Sequence, residues 1–145
     1  MGRGNKKDHT MPSASWALQQ AVFAALAADA PLVALLGAPR IFDDVPQGTD
    51  FPYLAFGQTT ARDWSTGTED GAEHTLTLSV WSQARGKKEA HEIMGAVRAA
   101  LHDAPLALNG HRLVTLRHEF SETRREPDGD TIRGTVRFRA VTEPV

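Results

Sequence analysis

An α+β fold is predicted, a mostly antiparallel β-sheet with an N-terminal helical pair and one helix packed across it. Three observations carry that expectation. Residues 74–81 and 131–142 alternate apolar and polar at the two-residue period of a strand, and residues 90–101 repeat apolar positions at the helical period. Two turn signals, Asn109-Gly110 and Pro127-Asp128-Gly129-Asp130, each stand directly before a strand pattern. Strands joined by tight turns, with helices segregated at one end, define this class rather than a parallel sheet.

The elements follow in chain order. Ser13, after Pro12, is an N-cap for a helix over 14–28, whose Leu18, Val22, Ala25 and Leu26 share one face. Asp29 caps a second, short helix with Pro31 in its first turn and Gly37 as its stop, and Leu32, Leu35 and Leu36 form its apolar side. Residues 40–42 form a short extended segment, and 53–58 a strand. The polar run TTARDWSTGTEDGAE, 59–73, reads as a long hairpin connection, a length that often marks a functional surface.

In the strand 74–81, Leu76, Leu78 and Val80 point one way and Thr75, Thr77, Ser79 and Trp81 the other. The chain then turns through Gly86 into a helix with Ala90, Ile93, Met94, Val97 and Leu101 on one face and Lys87, Lys88, Glu92 and Arg98 on the other. That stripe folds back over Leu76, Leu78 and Val80. Asn109-Gly110 predicts a type I′ turn, with φ above zero at both central residues, opening a strand over 111–120. In the last strand Ile132, Val136, Phe138 and Ala140 face inward, while Arg133, Thr135, Arg137 and Arg139 face outward.

Composition bounds the function. A 145-residue chain suits one domain, expected over 11–145, with residues 1–10 a disordered tail and Met11 a candidate start. Arg3, Lys6 and Lys7 in that tail have a DNA-binding arm as their alternative reading. The absence of cysteine excludes disulfides and thiolate chemistry, and fits a reducing cytoplasm. No apolar run approaches the ~20 residues of a bilayer span. The net charge of −2 gives no general attraction to nucleic acid, although arginines crowd the last third of the chain.

Few residues stand in patterns that carry chemistry. No two histidines stand at i, i+4, and His91 and His102 lie roughly 16 Å apart if helical. His118 falls in a pattern with Val114, Leu116 and Phe120 and is expected in the core. The carboxylate pairs Asp43-Asp44, Glu69-Asp70 and Asp128/Asp130 sit in turn-like segments, where aspartate stabilises turns. Phosphate-loop and nucleophile-elbow patterns are missing. No catalytic residue, cofactor or metal is assigned.

The arginine ridge Arg133, Arg137 and Arg139, with Arg117 and Glu119 on a neighbouring strand, is either a solvated sheet face or a contact surface. A nucleic-acid surface is disfavoured because no aromatic residues interleave with these basic ones in the sequence. Trp81 is expected over a second small core under the N-terminal helices, with a subunit contact as the alternative. Trp64, in a polar segment, is the better contact residue.

The succession LLGAPRIFDDVPQGTDFPYLAFG, RDWSTGTEDGAEHTLTLSVWSQARGKKEA, AALHDAPLALNGHRLV and RREPDGDTIRGTVRFRAVTE resembles the tail terminator, or tail completion, proteins of long-tailed phages. It looks especially similar to the branch found in prophages and gene transfer agents of alphaproteobacteria, and the resemblance covers about residues 14–143. The resemblance implies a six-membered ring of this subunit on the head-proximal end of a finished tail tube. Its partners would be the tube protein and the head-side connector (stopper) protein. DNA would pass through without sequence-specific binding, and no membrane would take part. The protein would assemble in the bacterial cytoplasm and end in the neck of the particle. The interface residues expected from exposure and position are Arg62, Asp63, Trp64, Glu69 and Asp70 in the long loop, with Arg124, Arg125, Asp128 and Arg137. The alternatives are another connector component, a stopper or adaptor ring, or a small hydrolase using His118 and a carboxylate.

Overall fold

The computed structural model describes residues 13–145. The expected tail at 1–10, with the arm reading of Arg3, Lys6 and Lys7, lies outside the described residues. The elements are α1 (Ala14–Ala27), α2 (Ala30–Leu36), β1 (Ile41–Phe42), β2 (Tyr53–Asp63), β3 (Ala72–Ser82), α3 (Lys88–Leu101), β4 (Ala107–Leu108), β5 (His111–Arg125) and β6 (Ile132–Pro144). The strands form one sheet in the order β1-β2-β3-β6-β5-β4, antiparallel throughout except for the β1/β2 pair. The α+β class expected from the sequence is the one found.

Local chemistry sets the helix ends. Ser13 Oγ accepts from the Trp16 amide at 3.1 Å and Asp29 Oδ1 from the Leu32 amide at 3.0 Å. Gly37, at φ 84°, closes α2 in the left-handed conformation that a side chain would strain. Arg40 then donates from Nη1 to the carbonyls of Leu36 (2.6 Å) and Pro52 (3.3 Å), tying the end of α2 to the start of β2.

The three helices of the described residues all pack on one sheet face. Leu18, Val22 and Leu26 of α1, Leu32 and Leu36 of α2 and the predicted stripe of α3 join Leu76, Leu78, Val80, Val136 and Phe138 in one buried cluster. Leu35, expected in the apolar side of α2, is 37% exposed instead. At Gly134 of β6 a Cβ would lie 2.5 Å from Met94 Sδ, so glycine there lets α3 approach the sheet. The β3-to-α3 joint is braced by Ser82, whose Oγ donates to Glu89 Oε1 (2.6 Å) and accepts from the Ala84 amide (3.2 Å).

Several expectations are corrected. Strand β2 runs on to Asp63 and β3 begins at Ala72, so both ends of the supposed long loop are ladder and only 64–71 connects the two. Polar residues continue these strands because the hydrogen-bonded ladder needs no burial of their side chains. The Asn109-Gly110 turn joins β4 to β5, but only Gly110 has positive φ, so it is not type I′. Register shifts at Val114 and Glu119 of β5 break the predicted alternation. Each bulge inserts one residue and turns the following side chains over. Leu116 stays buried while Val114 and Phe120 are 47% and 37% exposed. His118 is only half-buried, at the sheet margin against Phe138. The buried histidine is His74, between Ser15 Oγ (3.1 Å) and Thr142 Oγ1 (2.9 Å). Trp81 lies opposite Val80, on the face away from the helices, stacked with Tyr53 at 6.4 Å rather than under α1 and α2.

Candidate interface on the open sheet face

Among the described residues the second face of the sheet carries no helix, and the outward positions of β2, β3, β6 and β5 contribute to it. The register sets out its rows. Tyr53, Trp81, Arg133 and Arg124 are aligned at one end, and Arg62, Glu73 and Val141 at the other. Trp81 stands eight residue steps along β3 from Glu73, about 26 Å of strand.

Each arginine of the β6 ridge lies over an aromatic ring. Arg133 sits 5.0 Å from the centre of Trp81, Arg137 4.7 Å from Phe120 and Arg139 4.9 Å from Trp64. A guanidinium over a ring is held by the ring quadrupole while its outer plane keeps its donors available. The sequence expectation that aromatics do not interleave with the basic residues is therefore corrected. They come from β3, β5 and the 64–71 loop, and meet β6 only in the folded sheet.

The nine candidate residues fall into two groups and a midpoint. At one end Arg62 Nε pairs with Glu73 Oε1 at 2.9 Å, and Arg139 donates to the other oxygen of Glu73. Asp63 Oδ1 accepts from Ser65 Oγ (2.6 Å) and the Ser65 amide (3.1 Å), which holds its carboxyl below the usual aspartate range. Trp64, 46% exposed, has its amide on the Gly71 carbonyl. Glu69 and Asp70 project from the loop tip, which the Thr66 amide closes on the Glu69 carbonyl at 2.8 Å.

At the other end Arg124 pairs with Glu126 at 3.0 Å, and Arg125 donates to the Gly129 carbonyl at 3.1 Å beside an open cleft of about 510 Å³. Asp128 braces the β5–β6 turn by accepting from the amides of Asp130 and Thr131, both at 2.9 Å, and from Thr131 Oγ1 at 2.7 Å. The Thr131 hydroxyl is the first cause of its lowered pKa. Arg137, the midpoint, has no ion-pair partner among the described residues and lines a shallow cleft with Gln58, Thr60, Thr75, Thr77 and Glu119. The two ends are thus not one patch, and the ridge Arg133-Arg137-Arg139 links them. Arg133, Arg139, Trp81 and Glu73 were not among the candidates. The alternation of Trp81, Arg133 and Arg139 was visible in the sequence, but their cross-strand partners were not, and Glu73 was read as part of the connection.

The hydrolase alternative finds a partial constellation. His118 Nε2 and Ser121 Oγ are 2.6 Å apart, and the His118 amide donates to His102 Nδ1. Burial, then Arg98 and His102, hold the His118 pKa down. Among the described residues no carboxylate bonds to the His118 ring, and no group of three His, Asp or Glu could hold a metal ion. No described helix is long and apolar enough to cross a membrane.

The family model for tail completion protein gp17 matches residues 20–143, and the chain belongs to that family. A chain in the virion of a native gene transfer agent particle is 37% identical, with a TM-score of 0.84 over 91% of this chain and 99% of that one. The gp17 protein of bacteriophage SPP1 matches at TM-score 0.61 over 90% and 92% of the two chains, and at 24% identity shows the fold alone. No curated protein matches. The chain is a tail completion protein of a phage or gene-transfer-agent virion.

Proposed function

We propose that this chain is the tail terminator. Copies of one domain, residues 11–145, form a six-membered ring on the head-proximal end of the tail tube. The ring stops tube polymerisation and presents its other face to the head connector. DNA passes through it without sequence-specific readout. A heterologous contact repeated around a closed ring leaves no growing end, which is how capping is achieved without chemistry. The protein acts by contact rather than catalysis, assembling in the cytoplasm and remaining in the particle neck.

The observation that carries this reading is the likeness to a gene-transfer-agent virion chain over nearly its whole length. The open sheet face supports it: half-buried arginines held over rings are stiff, and stiff side chains lose little entropy on docking. The candidate residues at its two ends and at Arg137 are the proposed contacts with neighbouring copies, the tube and the connector. The test is tail length by negative-stain microscopy after deletion of the gene in a producing strain. Overlong or ragged tails separate from filled heads are expected. Tails of normal length on intact particles would refute the terminator role.

A further inference from the structure

Both sides of the sheet end in open strand edges. At one side β1 covers only Leu54 and Ala55 of β2, leaving 59–63 with no outer neighbour among the described residues. At the other, β4 covers only His111 and Arg112 of β5, and the chain after α3 reaches the edge at Leu116 and His118. Beyond the bulge at Glu119, 120–125 has no outer neighbour among the described residues. Each open stretch begins just after a bulge in its strand, and they are five and six residues long. Unpaired edges of this length template a further strand.

The surroundings of the two edges are complementary. Beside the β2 edge, Trp16, Phe23 and Phe56 line a groove of about 380 Å³, and Trp16 and Phe23 are 47% and 43% exposed. Asp43 borders this groove and exposed Asp44 follows it; Asp43 accepts only the Gln19 amide at 2.9 Å. Beside the β5 edge lie exposed Arg98, Arg124 and Arg125, with a groove of about 210 Å³ lined by Met94 and Gly95. The first edge has two exposed aspartates beside it; the second has three exposed arginines, of which Arg124 also pairs with Glu126, and Glu122 in its groove.

We propose that the occupant of each edge is a second copy of this chain: 59–63 of one subunit pairs with 120–125 of the next, with Asp43 and Asp44 facing Arg124 and Arg125. The strand order makes the joint antiparallel. Strands β2 and β5 run in opposite directions within one sheet, so a head-to-tail repeat along the same strand axis sets them antiparallel again. The open stretches are offset by about six residues, roughly 20 Å along the strands, so a closed ring requires strands tilted to its axis. The edges lie at opposite sides of one subunit, which makes the contact heterologous, as ring closure requires. This inference rests on the ring reading above and names the surfaces that build it.

The test uses charge exchange in a producing strain whose own copy of the gene is deleted. The D43R/D44R variant places basic against basic, and R124D/R125D acidic against acidic, so each alone is expected to cut the yield of head-joined tails at least tenfold. Co-expression restores joining, because the two variants can alternate around an even-numbered ring with every contact repaired. Since the chain has no cysteine, the A61C/T123C variant offers a second measurement, independent of tolerance to charge reversal. Under mild oxidation of particles it is expected to give a ladder of covalent multimers that neither single variant gives. If the deletion disturbs tails but each charge variant alone joins normally, the edge pairing is wrong and the ring stands. Variants that fold, fail alone and are not rescued together also refute it, as does a cysteine pair that gives no covalent multimers. Normal tails in the deletion strain remove the ring reading and this inference with it.

Discussion

The guanidinium of Arg139 lies 4.9 Å from the centre of the Trp64 ring while its Nε donates to Glu73, which also receives Arg62. One carboxylate, mostly covered, thus fixes two arginines from strands on either side of it. Glu73→Gln keeps the shape and removes the charge, and is expected to lower stability by about 1 kcal/mol in denaturant unfolding. Adding Trp64→Ala to that variant should cost less than Trp64→Ala alone, because both groups restrain the same guanidinium. Additive losses would show that the two contacts act separately.

Gly134 tests the closest approach of helix and sheet. A valine there must displace Met94, whose Sδ would stand 2.5 Å from the new Cβ. The expected cost is about 1–3 kcal/mol, the usual range for overpacking. Shortening the obstacle in the double variant Gly134→Val with Met94→Ala should return part of that loss. A double variant no more stable than Gly134→Val would place the strain elsewhere.

What the sequence made legible was what local chemistry decides. Ser13, Asp29 and Gly37 mark helix ends by bonding to their own neighbours, so their positions follow from residues three or four apart. The stripe of α3 and the inward face of β6 follow from periodicity and proved buried. Strand length was less legible, because 59–63 and 121–125 are polar and nothing in their pattern distinguishes an edge ladder from a loop. The bulge at Glu119 was invisible and reversed the reading of Phe120. For the candidate face, Arg137 could be placed outward from alternation alone. Its ring partner could not, since Phe120 is seventeen residues away and meets it only through the β5/β6 register.

His74 gives stability a pH dependence of defined sign. Burial first, and His111 second, depress its pKa below the ordinary histidine value. Above about 6.5 both folded and unfolded chains hold it neutral, and it makes no pH-dependent contribution. As pH falls below that, the unfolded chain binds a proton that the folded chain resists, so stability drops until the folded pKa is passed. His118 is depressed in the same direction and adds to the slope. His74→Gln should be less stable than wild type at pH 8, through its altered bonds to Ser15 and Thr142, yet lose less on acidification from pH 7 to 5. Urea midpoints across that range with parallel profiles would remove His74 from the account.

Arg137 separates contact from folding most directly. It carries no ion pair among the described residues, and its ring contact with Phe120 is half-exposed, where such pairs contribute about 0.5–1 kcal/mol. In Arg137→Glu that loss is opposed, because Arg133 and Arg139 flank the site on β6 and attract a carboxylate. Thermal unfolding of the isolated subunit should therefore shift by only a few degrees. If the open face docks against acidic or backbone-carbonyl groups of a neighbour, assembly should fail in graded order. Arg137→Lys would retain most head-joined particles, Arg137→Gln fewer and Arg137→Glu the fewest, since lysine keeps the charge but not the planar fork. Equal yields across the series would mean that Arg137 faces solvent in the particle. Loss of the subunit fold in Arg137→Glu would instead make its contact with Phe120 a structural one.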